Sequence, residues 1–317
     1  MKFVGHQATL SMLDRHIQAG TLPQSVLLVG PTHIGKTTLA VDLAKRIQCE
    51  HPSQTYACNQ CKGCNRIQSN EHPEVSIIEP DGDITKIWQL WSRSGHPPGA
   101  LESLVYRPVL GAKRVVIITA AHTLNDESAN SILKVLEEPA SYVQFFLCTN
   151  SVASVLPTIS SRCFTIPLTP LPTHVIEQLV IASRAMDESN ARRIAQEAAG
   201  CPGQALTVNL ADLDDRHVQL TAWIARLQDA PRGAIFALAE GLRAVQKGTP
   251  EGAVRGVTIH NLRALATLLM TTDITIATKI TCADDVMATA YAVSRNANPQ
   301  MATEALLTRL WKRIHKQ

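Results

Sequence analysis

Apolar residues in the first half of the chain come in short unbroken runs separated by stretches with helical spacing. Ser25-Val26-Leu27-Leu28-Val29 reads as a buried strand, and residues 36–48 follow with Leu39, Leu43, Ala44 and Ile47 on one helical face. Further strands are predicted over 75–79, 114–119, 144–149 and 164–166. A helix opening on Asn125-Asp126-Glu127 runs to Leu136 and stops near Pro139. Runs of this kind alternating with helices predict a parallel sheet covered on both faces. Beyond Leu171 the pattern becomes helical: short amphipathic segments over 175–183, 187–199 and 204–210, then longer ones over 218–227, 235–245, 254–270, 284–294 and 299–314. Ile274-Thr275-Ile276-Ala277-Thr278 fits either strand or helix. The pattern gives an α/β domain over 1–167, a small helical domain over 168–212 and an all-α domain over 213–317.

Composition narrows the class without naming it. The 317 residues are 45% hydrophobic and 18% charged, which is a globular balance. Only 4% are aromatic, against a stacking platform for single-stranded nucleic acid, and the net charge of +3 permits phosphate contact without demanding it. No apolar stretch has transmembrane length and Met1-Lys2-Phe3-Val4-Gly5-His6 has no signal-peptide core, so a cytoplasmic protein is expected, with its eight cysteines as thiols or metal ligands.

Two motifs carry chemistry. Gly30-Pro31-Thr32-His33-Ile34-Gly35-Lys36-Thr37 sits between the first strand and its helix, where backbone N–H groups and a helix N-terminus suit a phosphate. Gly30, Pro31, Gly35, Lys36, Thr37 and Thr38 are the candidate nucleotide-binding residues, with Lys36 for the terminal phosphates and Thr37 for Mg²⁺. His33 is expected to crowd the loop. Hydrolysis would also need a strand-end acid for the metal and a group to orient water. The run Val115-Val116-Ile117-Ile118 instead leads into Thr119-Ala120-Ala121, and Asp126 and Glu127 belong to the next helix. Asp81 and Asp83, after another strand, are the remaining substitutes. The loop is therefore expected to bind ATP and Mg²⁺, if at all, without cleaving it.

Cys49, Cys58, Cys61 and Cys64 form the second motif, with steps of nine, three and three residues. This spacing lets four thiolates close a tetrahedron around a structural zinc ion with no open position. His51 and His72 are weaker candidates. Cys148, Cys163, Cys201 and Cys282 are isolated and read as core residues.

Taken with Leu133-Lys134-Val135-Leu136-Glu137-Glu138-Pro139 and Ser161-Arg162-Cys163, these motifs resemble, in order and spacing, the bacterial DNA polymerase III clamp loader subunits of the AAA+ superfamily. The likeness covers about the first 165 residues, and Gly200-Cys201-Pro202-Gly203-Gln204-Ala205-Leu206 extends it. Motor subunits of the family, gamma and tau, carry Asp-Glu where this chain has Thr119-Ala120, and a basic sensor residue near Gly203. The chain looks like the delta-prime type, which does not hydrolyse ATP. Its intact Lys36-Thr37 and the insert-like segment 94–100 depart from that type. The resemblance implies an AAA+ domain with a zinc knuckle over 49–64, a lid and an oligomerising collar. It also implies a hetero-pentameric ring with gamma/tau and delta subunits, a sliding clamp, and primed DNA held without sequence specificity in the nucleoid. Arg162 would then be an arginine finger offered to a neighbouring subunit's ATP. An active motor-type ATPase is the alternative, and a zinc-knuckle nucleic-acid-binding module a third reading.

Overall fold

The computed structural model describes residues 3–52, 57–229, 231, 254–272, 274–294 and 297–315. The chain's contacts divide it into two units, Met1–Thr207 and Val208–Gln317.

The first unit is built on five strands: β1 (Ser25–Val29), β2 (Val75–Ile78), β3 (Arg114–Ile118), β4 (Val143–Thr149) and β5 (Phe164–Pro167). They pair in parallel in the order β2-β3-β4-β1-β5. Every residue of β3 and β4 is buried, as is all of β1 but Val29, which is why these strands read as unbroken apolar runs. Alternate residues feed opposite faces. Val26, Leu28, Val115, Ile117, Phe146 and Cys148 pack with Leu13 of α1 (Gln7–Gln18) and with Leu39, Ala40 and Leu43 of α2 (Lys36–Gln48). Leu27, Val116, Ile118, Phe145 and Leu147 pack on the other side with Ala129, Ile132 and Leu136, which lie on the helix after β3.

The remaining helices of this unit are α3 (Lys62–Gln68), α4 (Ile87–Leu90), α5 (Asp126–Glu137), α6 (Pro157–Ser160), α7 (Thr173–Arg184), α8 (Glu188–Glu197) and α9 (Pro202–Thr207). The parallel sheet with its loop after β1 is the α/β architecture anticipated from the sequence. The helix α1 was not anticipated, because only Leu13 and Asp14 of its twelve residues are buried.

The second unit is all-helical among its described residues: α10 (Leu210–Asp229), α11 (Val254–Leu269), α12 (Ile276–Ser294) and α13 (Pro299–Ile314). Leu220, Trp223, Leu227, Leu265, Leu269, Val286, Leu306 and Leu310 form its core. The ambiguous stretch at 274–278 resolves as a helix start. The Thr275 hydroxyl accepts from the Thr278 N–H at 3.4 Å and lies 2.8 Å from the Thr278 hydroxyl, a local cap that overrides β propensity. The helix predicted over 235–245 lies outside the described residues. No described helix is long and apolar enough to cross a membrane.

Candidate functional site

The phosphate loop links the C-terminal end of β1, an inner strand, to α2. Gly35 immediately before α2 has φ +103° and His33 has φ +64°. Histidine meets the second requirement by entering the left-handed region with its side chain exposed, so the expected crowding of the loop does not arise. Lys36 is 8% exposed, and burial holds its amine below the ordinary lysine range. It donates to the carbonyls of Gly30 (2.7 Å) and Pro31 (2.8 Å) and to Asn150 Oδ1 (3.0 Å). Of the candidate residues, Lys36 is thus brought onto Gly30 and Pro31, with Gly35 and Thr37 beside it in the chain. Thr37 hydrogen-bonds the buried Cys148 thiol, whose pKa burial pushes up to about 12. Thr38 is half-buried in the first turn of α2.

Asn150 was not singled out from the sequence. It is the first residue after β4, the strand paired with β1, and polar residues at the C-terminal ends of parallel strands flanking such a loop are where a signal existed. His122, beyond β3, also lies close enough to Lys36 for the lysine charge, after burial, to lower its pKa.

No acid takes the place at the end of β3. The Thr119 hydroxyl donates to the Ile78 carbonyl at 3.1 Å, and Ala120 and Ala121 follow. Asp126 and Glu127 lie in the first turn of α5, capped by Asn125, whose side chain accepts from the Ser128 N–H at 2.8 Å. Asp81 and Asp83 leave β2, the far edge strand. Three strand spacings, about 14 Å, separate it from β1, and Asp81 pairs with Lys86 at 2.7 Å.

The four cysteines converge. One sulfur from each of Cys49, Cys58, Cys61 and Cys64 lies within 4.8 Å of the others. Cys49 follows the end of α2, and Cys61 caps α3, with its sulfur accepting from the Cys64 N–H at 3.4 Å. Cys58 Sγ accepts from the N–H groups of Gln60 (3.5 Å) and Cys61 (3.2 Å), which bring its pKa down to about 6. Burial drives the Cys64 thiol the other way. Bond lengths of about 2.3 Å to zinc place tetrahedral sulfurs roughly 3.8 Å apart, and Cys58 and Cys64 already stand at 4.0 Å. The donor set, its backbone N–H bonds and its spacing fit a divalent metal.

Arg162 follows α6. Its guanidinium donates to the Thr158 carbonyl (2.8 Å) and the Ser161 hydroxyl (3.4 Å), and pairs with the Glu137 carboxylate at the end of α5. None of these partners belongs to the phosphate loop, so the structure does not bring Arg162 to the chain's own Lys36. One-third of its side chain remains exposed.

Comparison with known proteins places this arrangement. The family described as DNA polymerase III, delta subunit, matches residues 5–172, just over half of the chain and the whole region from α1 to the end of the sheet. The chain belongs to this family, in its delta-prime type. The Pseudomonas aeruginosa DNA polymerase III subunit delta′ is 32% identical over 57% of this chain and 53% of its own length. The Escherichia coli subunit delta′ is 28% identical over 80% of this chain and 70% of its own. The Buchnera aphidicola subunit gamma is 30% identical over 68% of this chain and 60% of its own. The chain thus spans little more than half the length of two of these relatives.

Proposed function

We propose that the chain is a non-hydrolysing, delta-prime-like subunit of the DNA polymerase III clamp loader. In this reading it works in the cytoplasm, at the replicating nucleoid, within a hetero-pentameric ring of gamma/tau and delta subunits. The ring loads a sliding clamp on primed DNA, and DNA is held through phosphates without sequence preference. The observation that carries the reading is the tip of β3, where Thr119-Ala120 offers no carboxylate and the Thr119 hydroxyl is committed to Ile78. Phosphoryl transfer needs an acid to hold Mg²⁺ and another group to aim water, and neither stands there.

Gly30, Gly35, Lys36 and Thr37 would hold ATP and Mg²⁺ without cleaving it. A nucleotide must then replace the three oxygen partners of Lys36 with phosphate oxygens, so binding is weaker than in a loop whose lysine is free. Cys49, Cys58, Cys61 and Cys64 would hold zinc, which when bound supplies a cross-link between the end of α2 and the start of α3. Arg162 would act in trans, stabilising charge on the γ-phosphate of a neighbouring motor subunit. Fingers supplied in trans are worth on the order of 10³–10⁵ in rate.

The test is ATP turnover by the reconstituted ring. Arg162→Ala is expected to leave assembly intact and slow turnover at the adjoining motor site. Unchanged turnover in a fully assembled mutant ring removes Arg162 from the mechanism. Hydrolysis by the isolated chain that is abolished by Lys36→Ala would establish the motor-type alternative instead.

A further inference from the structure

Arg162 is held by two kinds of contact. Thr158 and Ser161 are its near neighbours in sequence, on or beside α6, so they fix the guanidinium only relative to its own turn. Glu137 is its one partner from another element among the hydrogen bonds and ion pairs of the described residues. That acid sits at the last position of α5, where the helix dipole presents negative potential and a carboxylate is unfavourable. Helix stability therefore does not account for it. Pro139 lies two residues on, and the neighbouring side chain Leu136 is buried in the same core as Ile159 of α6. The two backbones are consequently locked together beneath the pair, while Glu137 and Arg162 stay 48% and 33% exposed above it.

We propose that Glu137 is the positioning residue for Arg162, an inference that rests on the trans-finger reading. A free arginine has many rotamers and loses side-chain entropy on being fixed. Glu137 and the Thr158 carbonyl engage the two terminal nitrogens, which orients the fork and leaves the remaining N–H groups for a phosphate arriving from outside. The pair contributes orientation at the partner's γ-phosphate and makes no contact with the reacting atoms.

The experiment compares wild type, Glu137→Ala, Glu137→Gln, Arg162→Ala and Glu137→Ala/Arg162→Ala in the complete ring with clamp and primed DNA. Assembly is followed by size-exclusion chromatography and ATP turnover across a range of ATP concentrations. Full misplacement of a reacting group can cost 10²-fold, and a partly retained orientation less. Glu137→Ala should lower kcat about tenfold with KM and assembly unchanged, and Glu137→Gln, which keeps an acceptor, should recover part of the loss. In the Arg162→Ala background, Glu137→Ala should have no further effect. A merely structural role would slow both backgrounds alike, and that result overturns the proposal, as does normal kcat in Glu137→Ala when Arg162→Ala is slow. If Arg162→Ala itself turns over normally, the finger reading fails first. Should Glu137→Ala not assemble, the Glu137→Gln comparison in the two backgrounds decides.

Discussion

Glu74 shows how much a single side chain can hold. Its carboxylate pairs with Arg114 at 2.9 Å, with side-chain exposures of 3% and 11%, and its other oxygen accepts from the Val109 N–H at 2.8 Å. Arg114 in turn donates to the Tyr106 carbonyl at 2.7 Å, so one buried ion pair ties the start of β3 to the loop before it. Removing one partner of a buried pair leaves the other charge uncompensated, at a cost of about 3–5 kcal/mol. Glu74→Ala should therefore destabilise the full chain by that amount in urea unfolding, with Glu74→Gln falling between it and wild type. A loss under about 1 kcal/mol in Glu74→Ala would show that the pair is solvated. Residues of this kind are hard to find from sequence, since nothing in the string Glu74-Val75 announces a partner forty positions away. Lys36, by contrast, was legible because its local motif fixes its position, whereas Asn150 and Glu137 acquire their roles only through pairing across the fold.

Among the elements, those with continuous apolar runs were readable to within a residue or two: β1, β3 and β4 form where the runs lie, because burial on both faces leaves few polar positions to blur them. Capped helices were also readable. Asn125 caps α5, and Asp187 caps α8 by accepting from the Asn190 N–H at 3.1 Å. Elements that cover a core with few residues were not, and α1 and α3 are examples. Asp187 also gives a prediction in pH. The Ser189 hydroxyl and the Asn190 N–H hold its carboxyl down at about 2. A depressed acid adds stability that is full above its unfolded pKa, about 3.9, and is lost as pH falls through the folded value. The Tm difference between wild type and Asp187→Ala should be constant from neutral pH to about 4 and shrink between about 4 and 2. A gap that widens on acidification would contradict the cap.

The molecule as a whole joins three devices on one scaffold: a phosphate loop, a four-cysteine cluster and a paired arginine. The cysteine cluster makes the clearest claim on the intact chain. Purified protein should carry one zinc per chain by elemental analysis, and chelation should speed amide exchange over 49–52 and 57–68 while DNA binding by the isolated chain stays weak throughout. Strong DNA binding that disappears on chelation would favour a nucleic-acid module. Cys58→Ser and Cys61→Ser should each lower zinc occupancy, because three thiolates leave the ion a coordination site open to water.

The start of α9 has a bearing on what this chain could become. Gly203, at the start of α9, donates its N–H to the His33 carbonyl at 2.9 Å, and a Cβ there would lie 2.9 Å from that same oxygen. Any side chain at 203 thus collides with the backbone of the phosphate loop. A lysine or arginine grafted at this point would prise the start of α9 and the loop apart. Under the proposed non-hydrolysing role, new acids at the tip of β3 would have to come together with a rebuilt start of α9, and no lone substitution supplies both.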